Sequence, residues 1–281
     1  MSIFEDLDGL AIFEEHIATL LNLEEAQAKS ILKIYRRVSH TLRARLRAVR
    51  ENTFTEQQIR VALAQIDSGI VVLTADLERA IPGSINALAE AGVSHLVDEA
   101  IIMEKVFGGS LQKVNLDAVK IAANTKNFLF NRYAKSVATY SQSLRSNMAM
   151  GLADMIAENV GWDMMVRRMM TYFESEEWRL RRIVRTELHH VYGQAKLTGM
   201  RDIRGGMFPD LNKSLYHPLD SRTAKDSEYA ETLKLVVGLD EPFRYQWKGK
   251  WRTFMAPPDR PNDRSILIPF RQSWGEVGED K

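Results

Sequence analysis

The chain has 281 residues, 45% of them hydrophobic and 27% charged, with Lys+Arg 38 against Asp+Glu 37 and a net charge of +1. This excludes a disordered or globally basic protein and leaves any affinity for nucleic acid to local clusters of charge. There is no cysteine, so disulfides, thiol nucleophiles and thiolate metal sites are excluded, in keeping with assembly in a reducing cytoplasm. Residues 1–10 carry Glu5, Asp6 and Asp8 where a secretory signal would carry Lys or Arg, and no run approaches the roughly 18 apolar residues of a membrane span. The expectation is a chain that is neither exported nor inserted in a membrane.

Over residues 2–107 apolar residues recur at three- and four-residue intervals, with breaks near Asn52, Pro82-Gly83 and Gly92, the pattern of an elongated helical bundle. Thr55 followed by Gln58 forms a capping-box pattern, and Phe54 with Ile59 stands where a hydrophobic staple would clasp the turn. A helix is therefore predicted from about residue 56. Gly108-Gly109-Ser110 closes a helical N-terminal domain, 1–109. A second helical segment, 110–204, runs through Phe128, Tyr133, Tyr140, Met148 and Met155, with turns expected at Gly151 and Gly161. After Gly205-Gly206 the texture changes. Seven of the 8 prolines fall between Pro209 and Pro269, among short apolar runs such as Leu235-Val236-Val237 and residues 265–268, which predicts a small loop-rich α+β module over 205–274. The acidic tail, 275–281, is expected to be mobile. There is no internal repeat or low-complexity segment. The expected fold class is thus mainly α with a small α+β C-terminal module and an elongated helical N-terminal bundle.

Residues 29–50 contain Lys29, Lys33, Arg36, Arg37, Arg43, Arg45, Arg47 and Arg50 without an Asp or Glu. At 100° per residue all except Arg45 share one broad face with His40, while Ile31, Tyr35, Val38, Leu42, Leu46 and Val49 form the opposite apolar stripe. Three readings stand open for this face. It meets DNA phosphates without reading sequence, or it meets an acidic protein partner, or it is a solvated face beside acids such as Glu24 and Glu25. A membrane surface fits less well, because the apolar stripe suits a bundle interior.

A second basic group, Arg179, Arg181, Arg182 and Arg185, reads as a salt-bridged helix with Glu176, Glu177 and Glu187. His189-His190 does not make a metal pair, since adjacent helical residues point about 100° apart; a structural role is expected. Met148, Met150, Met155, Met164, Met165, Met169 and Met170 have the spacing of core or subunit-interface packing.

Residues 140–271 resemble the phage head morphogenesis family, the minor head proteins with a domain like the F protein of bacteriophage Mu. Four elements carry the resemblance. The first is Arg185-Thr186-Glu187, within the helix Ile183-Val184-Arg185-Thr186-Glu187 and followed by Val191-Tyr192-Gly193-Gln194-Ala195. The second contains Asp220, Arg222, Thr223 and Asp226-Ser227, and the third is Asp240-Glu241-Pro242-Phe243. The fourth runs from Pro257 through Pro261-Asn262 and Asp263 to Ser265. Family members commonly carry a His after the Asp-Ser pair, and a His and two Cys in the Pro-Asn segment. Here those positions read Glu228, Arg260, Asp263 and Ser265, so no metal and no cofactor is expected. Glu228 and Asp263 are instead expected to pair with Arg222, Arg260 or Arg264.

The resemblance implies a virion protein present in few copies inside the capsid and made in the host cytoplasm. It would contact the portal protein and the major capsid or scaffolding protein, handle phage DNA non-specifically, and act in assembly, packaging or ejection. The competing reading is a nucleotide- or nucleic-acid-processing enzyme with a cleft around Asp220, Arg222 and Glu228, joined by His217 and Asp226. No Gly-rich phosphate loop, Ser-His-Asp order or metal-ligand spacing supports it, and no helix-turn-helix or zinc finger marks a sequence-specific regulator. The expectation is a non-enzyme.

Overall fold

The structure, a computed structural model, describes residues 7–49, 56–106, 118–158, 160–221 and 223–272. Helices α1 (Leu7–Ala48), α2 (Glu56–Val106), α3 (Ala118–Ala157), α4 (Trp162–Ser175) and α5 (Glu177–Gly206) are followed by strand β1 (Asn212–Tyr216), helix α6 (Lys225–Thr232) and strands β2 (Val236–Gly238), β3 (Phe243–Trp247), β4 (Lys250–Phe254) and β5 (Ile266–Phe270). The mainly α fold with a small C-terminal α+β module is as expected. Helix α2 begins at Glu56, the predicted start. Phe54, Thr55, the Gln58 side chain, the Gly108-Gly109-Ser110 boundary and the tail lie outside the described residues.

Two compact units form: Met1–Glu25 with Ser84–Leu129 and Arg185–Lys281, and Ala26–Gly83 with Phe130–Val184. This differs from the linear division at 109 and 204, because helices of 42 and 51 residues each supply apolar stripes to two cores. The break expected at Pro82-Gly83 is not a helix end. Pro82 sits inside α2, between Ile81 and Ile85, both fully buried. Their packing outweighs a proline penalty of roughly 3 kcal/mol. What the dipeptide marks is the passage of α2 from one unit to the other.

Gly92 also lies within α2. A Cβ there would stand 2.8 Å from the Tyr192 carbonyl oxygen, so the glycine is a notch against α5. Gly151 falls inside α3, whereas Gly161 is the N-cap of α4, as expected. The break at Glu176 between α4 and α5 has no Gly or Pro to announce it.

The unit formed by Ala26–Gly83 and Phe130–Val184 is all helix. Its core consists of stripes spaced by three and four residues: Ile31, Tyr35, Val38, Leu42 and Leu46 of α1; Ile66, Ile70, Leu73, Leu77 and Ile81 of α2; and Tyr133, Val137, Tyr140, Leu144 and Met148 of α3. Met155, Met165, Met169 and Met170 join this core, while Met150 and Met164 are exposed. The Tyr35 and Phe173 rings stack at 4.7 Å.

The other unit adds β-structure to the remaining parts of α1, α2 and α5. β1 is the centre of an antiparallel three-stranded sheet in the order β2-β1-β5, with Ser214 opposite Val236 on one side and Ile268 on the other. Both faces of β1 are covered, so Lys213 is buried. Its ammonium donates to the carbonyls of Leu239 (3.2 Å) and Met255 (2.9 Å), and burial pushes its pKa down to about 8. β3 and β4 form a separate hairpin.

Candidate functional site

The elements singled out in the sequence come together in the unit that contains the sheets. α5 carries Arg185, Thr186, Glu187 and, one turn later, His189. Glu187 is buried and Thr186 half-buried. Arg185 Nε lies 3.8 Å from Glu24. His189 is fully enclosed, its Nδ1 2.7 Å from Glu24 and its Nε2 2.7 Å from the Ser265 carbonyl oxygen. Burial opposes the imidazolium, but the charges of Glu24 and Asp263 and the bonds to Glu24 and Ser265 outweigh it and raise the pKa. A charged His189 donates at both nitrogens and thereby ties α1 and the 257–265 segment to α5. Gly193 completes the seam. A Cβ there would stand 2.4 Å from the Pro257 carbonyl oxygen, so only glycine admits this approach.

The 220–227 and 257–265 segments are laced by arginine. Arg264 grips Asp220 with two bonds of 2.9 and 2.6 Å. Thr223 Oγ1 accepts from the Asp220 N–H at 2.9 Å and donates to the Pro218 carbonyl, closing the local turn. Arg260 donates to Asp259 (2.7 Å), Asp226 (2.8 Å) and Ser227 (2.6 Å), and Arg252 reaches Asp226 at 3.3 Å. The segment turns at Pro261-Asn262, where Asn262 takes φ +64°, a conformation asparagine tolerates better than most residues. The third element is held to α5 by Arg201 and Arg204, both paired with Asp240 at 3.0 and 2.7 Å.

Ion pairs therefore do occupy this region, but Arg260 and Arg264 pair with Asp220, Asp226 and Asp259 and not with Asp263 or Glu228. Asp263 is turned inward, accepting from the Ser265 and Asp259 N–H groups at 3.1 Å each and from the Ser265 hydroxyl. Burial would raise its pKa, yet these bonds and the neighbouring His189 and His217 hold it below the usual carboxylate range. Glu228 is exposed on α6 and has no ion pair among the described residues. Arg222 lies outside the described residues.

His217 Nδ1 is 2.5 Å from Ser265 Oγ. With that hydroxyl donating to Asp263, His217 donates from Nδ1 and presents Nε2 as a lone pair. Nε2 is buried with no hydrogen-bond partner among the described residues. His217 lines a cavity of about 20 Å³ together with Ser227, Arg260, Asn262 and Asp263, which is room for one water molecule and not for a substrate. Asp220 and Glu228 do not gather into a cleft there, since the first is spent on Arg264 and the second is exposed. Among the described residues no three His, Asp or Glu side chains cluster to hold a metal, and no helix is long and apolar enough to cross a membrane.

The basic face of α1 lies in the all-helical unit from Ala26 onward. Lys29, Lys33, Arg36, Arg37, His40 and Arg47 are exposed and Arg43 is half-buried, opposite the buried stripe, as the periodicity requires. Three of its arginines are matched by acids distant in sequence: Arg36 by Glu177 at 2.6 Å, Arg37 by Asp76 at 2.6 Å, and Arg43 by Glu174. Among the described residues Lys33 and Arg47 have no ion-pair partner. Arg50 lies outside them. In the second basic group Arg179 meets Glu176 at 3.5 Å, while Arg182 stacks over Trp178 at 4.8 Å.

One cluster escaped the sequence reading altogether. Lys196 and Glu99, both fully buried, bond at 2.5 and 2.6 Å, and His16 Nδ1 meets the same carboxylate at 3.0 Å. The His16 and His95 rings stack at 3.8 Å, and His95 Nδ1 is hydrogen-bonded with the Tyr192 hydroxyl at 2.8 Å. The available signal was a lysine one turn after Tyr192 on the apolar face of α5. No family model, curated protein or solved structure matches this chain.

Proposed function

We propose that this chain is a minor head protein of a tailed bacteriophage, present in few copies inside the capsid at the portal vertex, where it acts in head assembly and in DNA packaging or ejection. The observation that carries the reading is the convergence in one unit of the resembling segments, the first of them from Arg185 onward. α5 reaches the fourth segment through His189 and Gly193 and the third through Asp240, while Arg260 and Arg264 join the fourth to the second. Segments far apart in the chain and similar in order to one family's pattern thus form one packed module.

The partners on this reading are the portal protein, the major capsid or scaffolding protein, and phage DNA held without sequence preference. The chain acts by position and contact and not as an enzyme. Among the described residues of the α1 face, Lys33 and Arg47 have no ion-pair partner and remain for phosphate or an acidic partner. The decisive experiment counts copies of the chain against portal and major capsid protein, by quantitative mass spectrometry of DNA-filled particles and empty precursors. A few copies per portal in both are expected, and absence from both would overturn the reading.

A further inference from the structure

The β3–β4 hairpin carries chemistry that the preceding site does not use. Its strands pair in register, Phe243 with Phe254 and Gln246 with Trp251, across the two-residue turn Lys248-Gly249. Both turn residues have positive φ, +47° and +76°, the turn whose twist matches a tight hairpin. Side chains alternate between two faces. The inner face is fixed to the module: Phe243 and Tyr245 are buried, Trp247 packs on Tyr229 at 5.1 Å, and Arg252 is engaged by Asp226.

The outer face and tip are different in kind. Trp251 is 63% exposed and shares its face with exposed Arg244, Gln246 and Thr253, while exposed Lys248 sits in the turn and exposed Lys250, paired with Trp247, stands at the tip on the other face. From Phe243 to Ala256 there is no acidic residue. Arg244, Lys248 and Lys250 have no carboxylate partner among the described residues. The Arg244 guanidinium instead stands 5.5 Å from the Trp251 ring, and the Lys248 ammonium 5.6 Å from the Trp247 ring, contacts that restrain the aromatic groups without neutralising the cations.

An exposed indole costs solvation of apolar surface, and the three unpaired cations of the hairpin, Arg244 beside Trp251 and Lys248 and Lys250 at the tip, repel one another. Both are relieved by a ligand that is polyanionic and offers flat aromatic faces. Single-stranded nucleic acid has this combination, since its bases are free to stack; in a duplex they are already stacked on one another. We propose that the outer face and tip of the β3–β4 hairpin bind single-stranded nucleic acid, Trp251 stacking a base while Arg244, Lys248 and Lys250 meet backbone phosphates. This deepens the DNA-handling part of the proposed function. It is tested on purified protein, so its failure is separate from failure of the particle count.

The test is fluorescence anisotropy of a labelled 20-nucleotide thymidylate oligomer with the full chain. A Lys33→Glu/Arg47→Glu background keeps the basic face of α1 from contributing. Trp251→Ala is expected to weaken binding about tenfold or more, and Trp251→Phe to recover most of the loss. Lys248→Gln with Lys250→Gln is expected to reduce the slope of log K against log salt by about 1.4. These side chains are exposed, so circular dichroism should show unchanged folding. Unchanged affinity in Trp251→Ala overturns the proposal. So does a duplex that binds more tightly and independently of Trp251, or polyglutamate that competes as well as the oligomer, which would place an acidic protein on this face.

Discussion

The two units solve the problem of charge in opposite ways. In the all-helical unit the core is apolar and the arginines pair at the surface, with Asp76 the one buried carboxylate among its described residues. In the unit that holds the sheets, Glu24, Glu99, Lys196, Lys213, His189, Asp226 and Asp263 are all buried. Surface pairs contribute little because water already solvates both partners. A buried pair costs desolvation to form, but once formed it makes any arrangement that separates the charges expensive.

The sharpest way to break this contrast is to strand a buried charge. Lys196→Ala leaves Glu99 with only His16 and is expected to cost about 3–5 kcal/mol in urea unfolding. Adding Glu99→Leu should return part of that loss. A single-variant cost below about 1 kcal/mol would show that the pair is solvated and the contrast false.

The next effect is in pH. His95 is pushed down to about 3 by burial, with His16 and Lys196 adding to the same direction. Its folded pKa lies below the unfolded value of about 6.5, so its contribution is intact above pH 6.5 and stability falls as pH drops from there toward 3. His189 has the opposite sign. Its raised folded pKa gives a contribution that is full below pH 6.5 and lost as pH rises through the folded value. In urea titrations from pH 4 to 9, His95→Gln should flatten the acid side and His189→Gln the alkaline side. Identical profiles for both variants would show that neither group is held as the geometry indicates.

The smallest effect belongs to the helical unit. Arg36→Ala and Arg43→Ala each remove one surface partner and should leave the urea midpoint close to that of the unmodified chain. A clear drop would show that these pairs carry the unit's packing. The comparison between units would then have to be redrawn.

What the residues disclosed in advance follows the same division. The stripes of α1, α2 and α3 were legible because a three- and four-residue rhythm is local. The sheet region was legible as a change in texture, from its prolines and short apolar runs. Pro82 and Gly92 misled, since a break signal states a local cost and cannot state that packing of Ile81 and Ile85, or a close approach by α5, makes the helix continue. The basic face of α1 was visible, but its acidic partners at 76, 174 and 177 were not.

By itself, then, the sequence determined the helical class, the start of α2, the buried and exposed faces of α1, and the order of the segments that resemble one family, all properties set by spacing along the chain. Only the tertiary structure decided which charges pair and which stand alone. It joined Arg260 to Asp226, turned Asp263 inward to Ser265, enclosed Lys196 with Glu99, and left Trp251 and Arg244 on an open face. The reason is physical. Ion pairing and desolvation depend on separations of a few ångströms in space, and residues that meet at those distances lie up to 167 positions apart in the chain.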